Sequence, residues 1–179
     1  MRGKKSEKEK IMKGLKIMLF MILITSLIFG VTGCGKKKEE TKKAQTVAKD
    51  SLPNEAFKVM ISIENPPTSM NINSSGTIRI KVKNISPLVW PSKGQPDGKY
   101  TINLAYHWLD KGEKFVVFDG FRTPLPHDIH PNEEVMLDAA VTSLNSEGEY
   151  ILEWDMVQEG VSWFKDSGGK TSRIHIKIE

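Results

Sequence analysis

The sequence contains a single cysteine, Cys34, so an intrachain disulfide is excluded. It also lacks an apolar run of the length a membrane-spanning helix needs, about 20 residues. The longest such run covers residues 17–31. No glycine-rich phosphate loop precedes a helical pattern, and no Gly-x-Ser-x-Gly elbow is present. There is no internal repeat. These absences exclude a disulfide scaffold, a P-loop nucleotide site and an elbow-type serine hydrolase.

A basic stripe is missing as well, although the chain carries a net charge of +4. Residues 1–33 hold seven basic side chains against two acidic ones, and residues 34–50 hold six against three. Residues 51–179 therefore carry −4. Proteins that neutralise phosphates concentrate Lys and Arg on one face. The basic character here belongs to the N-terminal segments, and nucleic acid is excluded as an expected partner.

Those segments have their own logic. A basic stretch over residues 1–16 is followed by the apolar run 17–31 and then by Thr32, Gly33 and Cys34. Basic start, apolar middle and small residues before a cut describe a secretory leader; a plain N-terminal anchor helix is the alternative. Val31-Thr32-Gly33-Cys34 resembles the bacterial lipobox. The resemblance implies diacylglycerol on the Cys34 thiol, cleavage just before it, and a lipid anchor on a cell membrane, facing the extracytoplasmic side. The chain's one thiol would then be committed to lipid. Stable anchoring takes at least two hydrophobic signals, with each buried methylene contributing about 0.8 kcal/mol. Residues 35–55 are rich in Lys, Glu, Thr and Ala and poor in large apolar groups. Such a segment cannot bury enough surface to offset the entropy of ordering, so the expected division is leader 1–33, flexible tether 34–55 and folded domain 56–179.

Within the domain, period-two alternation dominates. Ile78, Ile80 and Val82 alternate with Arg79, Lys81 and Lys83. Ile102, Leu104, Tyr106 and Trp108 share one face, as do Val135, Leu137, Ala139 and Val141. Tyr150, Leu152, Trp154 and Met156 alternate with Ile151, Glu153, Asp155 and Val157, and Ile174, Ile176 and Ile178 form a last set. Further short strands are expected over Phe57–Glu64 and Phe115–Phe118. About seven short strands with turn-rich joints predict an all-β, antiparallel Ig-like sandwich. Asn84-Ile85-Ser86-Pro87-Leu88-Val89-Trp90-Pro91 resembles the Asn-x-Gly/Ser-x-x-x-Trp-Pro signature of Ig-like domains known from selective-autophagy receptors and from bacterial surface and polysaccharide-associated proteins. The resemblance extends to 104–108, 122–126 and 148–155. It implies the fold and carries no catalytic residue. In such a fold Glu147–Leu152 leads into the strand that bears a corner tyrosine, here Tyr150, and Leu152 takes the place of a cysteine.

Several constellations bear on chemistry. His127, Asp128 and His130 are clustered metal-capable residues, but a metal site needs three or four converging ligands. A polar loop is the simpler reading. Glu153 and Asp155 share a strand face, where a wet surface explains them better than glycoside chemistry. The aromatics are more suggestive. Trp163 and Phe164 are adjacent, so one faces in and the other out. An outward aromatic beside Arg122 and His107 would make a binding surface. Trp163, Phe164, Arg122 and His107 are thus the candidate contacts of a non-catalytic module for an envelope glycan or protein, with no cofactor and no metal. The alternatives are an inhibitor or chaperone-like module presenting residues 121–131, and a metal-dependent enzyme acting through His127 and His130.

Overall fold

In the computed structural model, residues 46–179 are described. The leader, Cys34 and the start of the tether lie outside them. Among the described residues no helix is long and apolar enough to cross a membrane.

Among the described residues the chain forms ten strands, most of the longer ones built on alternation of apolar and polar side chains. They are β1 (Val59–Glu64), β2 (Ser69–Met70), β3 (Ser75–Asn84), β4 (Ile102–Leu109), β5 (Phe115–Val117), β6 (Thr123–Pro124), β7 (Glu134–Thr142), β8 (Gly148–Gln158), β9 (Ser162–Trp163) and β10 (Ser172–Ile178). They form two sheets. One has the order β1-β3-β7, the other β2-β10-β8-β4-β5, with β6 on β4 and β9 on β8. Every pairing is antiparallel except β2 with β10. The chain crosses between the sheets before and after β2, after β3, before β7 and after β7. That connectivity is the Ig-like one, and it matches the fold expected from the alternation.

The core fills the space between the sheets. Ile80, Val82, Leu137 and Ala139 come from one side, and Leu104, Trp108, Leu152, Trp154 and Ile176 from the other. Trp108 and Leu152 stand opposite each other in the β4–β8 register within the larger sheet, and both are fully buried. The Trp108 indole donates to Thr142 O on the facing sheet (2.9 Å). Tyr150 packs edge-on to Trp108 with centroids 6.4 Å apart. A hydroxyl-to-backbone contact of the corner type is made instead by Tyr106, which accepts from Thr142 N (3.1 Å).

The folded body starts earlier than composition predicts. Val47 bridges Lys93, and Ala48 N donates to Lys93 O (2.7 Å). Leu52 N donates to Gln158 Oε1 (2.9 Å), Gln95 Nε2 donates to Lys49 O (3.0 Å), and Thr46 N donates to the Asp128 carboxylate. Residues 46–55, assigned above to the tether, are held through their backbone by hydrogen bonds to loop residues and to the Gln158 side chain on β8. A count of apolar side chains is blind to that.

Candidate functional site

β4 and β8 are central in the larger sheet, and their inward side chains belong to the core. The outward set is Asn103, Ala105 and His107 on β4, and Glu153, Asp155 and Val157 on β8. A wet face was expected here, and that expectation is corrected. His107 and Asp155 have no exposed surface and Glu153 keeps 1%. The cause is tertiary. After β8 the chain turns back through β9 and a 3-10 turn at Lys165–Ser167, so Trp163 packs onto Ala105 and Val157. From the other side Phe115 and Phe118 close over His107.

Glu153 is saturated. Its carboxylate accepts from Lys165 Nζ (2.9 Å), Arg173 Nε (2.7 Å) and Thr171 Oγ1 (2.9 Å). Burial pushes its pKa up, and these three donors overcome that and hold it below the usual carboxylate range. Asp155 has less help. It accepts from Met156 N (2.8 Å) and Lys165 N (3.3 Å), and burial pushes its pKa up to about 7 against both bonds.

The His107 ring lies 4.3 Å from Trp163, 5.0 Å from Phe118 and 5.3 Å from Phe115, centroid to centroid. Burial lowers its pKa, which favours the neutral form. Its Nδ1 contacts Phe118 O. A carbonyl only accepts, so Nδ1 carries the proton and donates. Nε2 is then a lone-pair nitrogen, buried without a hydrogen-bond partner.

Arg122 sits at the margin of this face. Its Nε donates to Glu159 Oε1 (2.8 Å), and its Nη1 donates to Asp119 Oδ1 (2.5 Å) and Gly120 O (2.8 Å). The guanidinium stacks over Trp163 at 5.0 Å. Trp163 thus contacts both Arg122 and His107 and is 9% exposed. Phe164 goes the other way. It is fully buried in the main core, edge-on to Phe57 (4.9 Å) and Trp90 (5.2 Å). Of the four candidate contacts, His107, Trp163 and Arg122 come together and Phe164 does not. Only Arg122 has substantial contact with solvent.

Two surface features were missed by sequence reasoning. The first is an apolar edge in which Phe115, Val116, Phe118 and Phe121 are 47%, 48%, 46% and 60% exposed. Its signal was five large apolar residues within the seven positions 115–121. The second is an open groove of about 470 Å³ lined by Asp97, Gly98, Lys99, Thr101, Asn103, Arg122, Glu159 and Gly160.

The metal-capable cluster is used structurally. His127 Nε2 pairs with Glu133 Oε1 (2.9 Å), while Asp128 is buried and accepts from Ser92 N (2.9 Å) and Ser92 Oγ (3.0 Å). Glu133 also accepts from His130 N (2.8 Å), which with His127 holds its carboxyl below the usual range. Among the described residues no three His, Cys, Asp or Glu side chains converge.

No family model matches the chain, and no curated protein matches it. Solved structures do. A CARDB domain from Pyrococcus furiosus is 13% identical over 68% of this chain and 94% of its own, with a TM-score of 0.41. The sporulation control protein Spo0M from Bacillus subtilis is 17% identical over 68% of this chain and 49% of its own (TM-score 0.41). A β-glucosidase from Listeria innocua, in complex with laminaribiose, is 11% identical over 68% of this chain and 16% of its own (TM-score 0.42).

Proposed function

We propose that the chain is a lipid-anchored extracytoplasmic protein whose sandwich is a non-catalytic binding module for an envelope glycan or protein. The anchor part of this reading rests on the leader-like residues 1–33 and the lipobox-like tetrad ending at Cys34. The resemblance of 84–91 to Ig-like domains of bacterial surface proteins is consistent with it.

The observation that carries the binding part is the apolar edge of Phe115, Val116, Phe118 and Phe121. Exposed apolar side chains standing together mark interaction surfaces. This edge is backed by the packed His107–Trp163 layer, so its geometry is set before a ligand arrives, and preorganisation lowers the cost of binding. The buried carboxylates support a non-catalytic role: Glu153 is saturated by donors, and neither it nor Asp155 reaches solvent. An inhibitor presenting residues 121–131 is disfavoured, because Leu125 and Ile129 are buried and Ile129 bridges Trp90.

The test uses the full chain in its host. Metabolic labelling with an alkyne-palmitate analogue should mark the wild type and not Cys34→Ala. Photo-cross-linking in the envelope should give a discrete adduct that Phe118→Ala and Phe121→Ala both lose and Met60→Ala, on the opposite sheet, retains. Normal labelling of Cys34→Ala overturns the anchor, and adducts unchanged in both Phe variants overturn the binding edge.

A further inference from the structure

The groove beside Arg122 is built by three stretches of chain: the loop 97–101, the start of β4 at Asn103, and the turn at Glu159–Gly160. Its size lies within the 300–1,000 Å³ typical of small-ligand sites. Its backbone is preset. Tyr100 takes a left-handed conformation (φ 68°), which is costly for a side-chain-bearing residue. That conformation is over-determined, since Tyr100 N donates to Glu159 O (2.8 Å), Glu159 N donates to Thr101 O (2.9 Å) and Gln158 Nε2 donates to Tyr100 O (3.3 Å). Gly160 across the groove is also left-handed (φ 70°), and a Cβ there would meet Lys99 Cγ at 3.1 Å.

The lining chemistry selects among ligands. Glu159 Oε1 takes both Asn103 Nδ2 (2.9 Å) and Arg122 Nε (2.8 Å). Glu159 Oε2 and Asn103 Oδ1 remain as acceptors, and Arg122 Nη2 and Lys99 Nζ as donors, with no hydrogen bond to the described residues. Asp97 and Glu159 balance Lys99 and Arg122 in charge. Arg122 is already paired with Asp119 and Glu159, so an anion gains little there, and a cation meets two positive side chains. What fits is an uncharged ligand whose groups both donate and accept at close spacing. Vicinal sugar hydroxyls do this, and planar amide, carboxylate and guanidinium groups are their geometric complement.

We propose that this groove binds a neutral saccharide, with Asn103, Glu159 and Arg122 contacting ring hydroxyls and Asp97 and Lys99 closing the rim. The proposal rests on the reading of the chain as an envelope-binding module, and it names a ligand class and a site for it.

The experiment titrates the full chain in detergent micelles with maltotetraose, cellotetraose and chitotetraose, and with tetragalacturonate as the acidic comparison, by calorimetry. Saturable binding of at least one neutral tetrasaccharide is expected. Asn103→Ala should weaken it at least tenfold, and the exposed-loop double variant Asp97→Ala/Lys99→Ala should weaken it several-fold without disturbing the core. Met60→Ala should bind as the wild type does. Absence of neutral binding, preference for tetragalacturonate, or equal affinity in the groove variants overturns the proposal. If the envelope adduct at Phe118 and Phe121 persists while saccharide binding is absent, the groove assignment alone fails. If both are absent, the binding-module reading fails with it.

Discussion

His107 and Glu153 stand directly opposite each other on β4 and β8, on the outward side of the larger sheet, and neither is open to water. One pair further along, Ala105 faces Asp155, which is also fully buried. The outer face of this sheet is therefore a second interior, small and polar, under a roof of Trp163, Phe115 and Phe118. Buried charge is tolerated only where hydrogen bonds replace water. Glu153 has three such donors, Asp155 has only backbone N–H groups, and His107 leaves one nitrogen without any.

Removing the centre of this network should be expensive. Glu153→Ala strands Lys165, Thr171 and Arg173 beside a cavity. Breaking a buried ionic network from one side costs about 3–5 kcal/mol, and the solvent reach of Lys165 and Arg173 puts the expected loss near the low end. Glu153→Leu should recover part of it by filling the space. Urea unfolding of the three proteins measures this, and a loss within experimental error for Glu153→Ala would show that the roof does not seal the face.

The pH dependence has two limbs of opposite sign. The Asp155 carboxyl ionises near 3.8 in an unfolded chain and at about 7 in the folded one. Between those values the folded state holds a proton that the unfolded state has lost, so stability falls as pH rises from about 4 to about 7. The full effect is on the order of 4 kcal/mol. His107 acts the other way, because its pKa is lowered by burial. Below 6.5 the unfolded chain gains a proton that the folded ring resists, and stability falls as pH drops. Glu153, Lys165 and Arg122 face these groups and set the background field. Asp155→Asn should therefore be more stable than the wild type at pH 8, by a smaller margin at pH 5, and close to it near pH 4. A wild-type-like difference between pH 8 and pH 5 in this variant rules out Asp155 as the source.

How much of this was legible depends on where the information sits. Ile78, Ile80 and Val82 alternate with charged residues because one face of β3 meets the core and the other meets water, so that strand announces itself. All eight residues of β4 are buried; the alternation of Ile102, Leu104, Tyr106 and Trp108 reported the strand and its inward face but not that its other face is covered. Its cover arrives from Trp163, more than 50 positions away in the chain. The same distance effect decided the fate of Trp163 and Phe164. Strand geometry requires them to diverge, but only the returning chain determines which side holds the main core. The two-residue strands β2, β6 and β9 are too short for any period. The groove was invisible for another reason: its walls come from three stretches of chain, none distinctive alone.

Arg122 is held by two carboxylates and rests on the Trp163 ring, so its loss should be seen optically. Arg122→Ala is expected to cost about 1–2 kcal/mol from the lost pairing and stacking at a partly exposed site. It should also shift Trp163 emission to longer wavelength as the ring gains water. Arg122→Lys should restore charge without restoring stability, because an ammonium lacks the planar fork that reaches Glu159 and Asp119 together. Full rescue by Lys would mean that charge alone holds the margin of this face.

The Asn84-to-Trp90 stretch gives the sharpest test of a single side chain. Asn84 is fully buried and uses both ends of its amide: Nδ2 donates to Leu88 O (2.7 Å) and Ile129 O (3.0 Å), and Oδ1 accepts from Ser86 N (2.9 Å). It thereby ties the loop after β3 to the segment before β7, next to Trp90, whose indole donates to Ala56 O (2.8 Å). Each buried partner left unpaired costs about 1–3 kcal/mol. Asn84→Ala leaves Ser86 N unpaired, while Leu88 O keeps Ser86 Oγ and Ile129 O keeps Trp90 N, so a loss of about 1–3 kcal/mol is expected. Asn84→Asp keeps the shape but turns an oxygen toward two carbonyl oxygens. Only the protonated carboxyl can donate to one of them, so this variant should gain more stability than the wild type as pH falls from 8 to 5. Urea midpoints at the two pH values test the claim, and an Asp variant with the wild type's pH dependence would mean that the amide donors of Asn84 are dispensable.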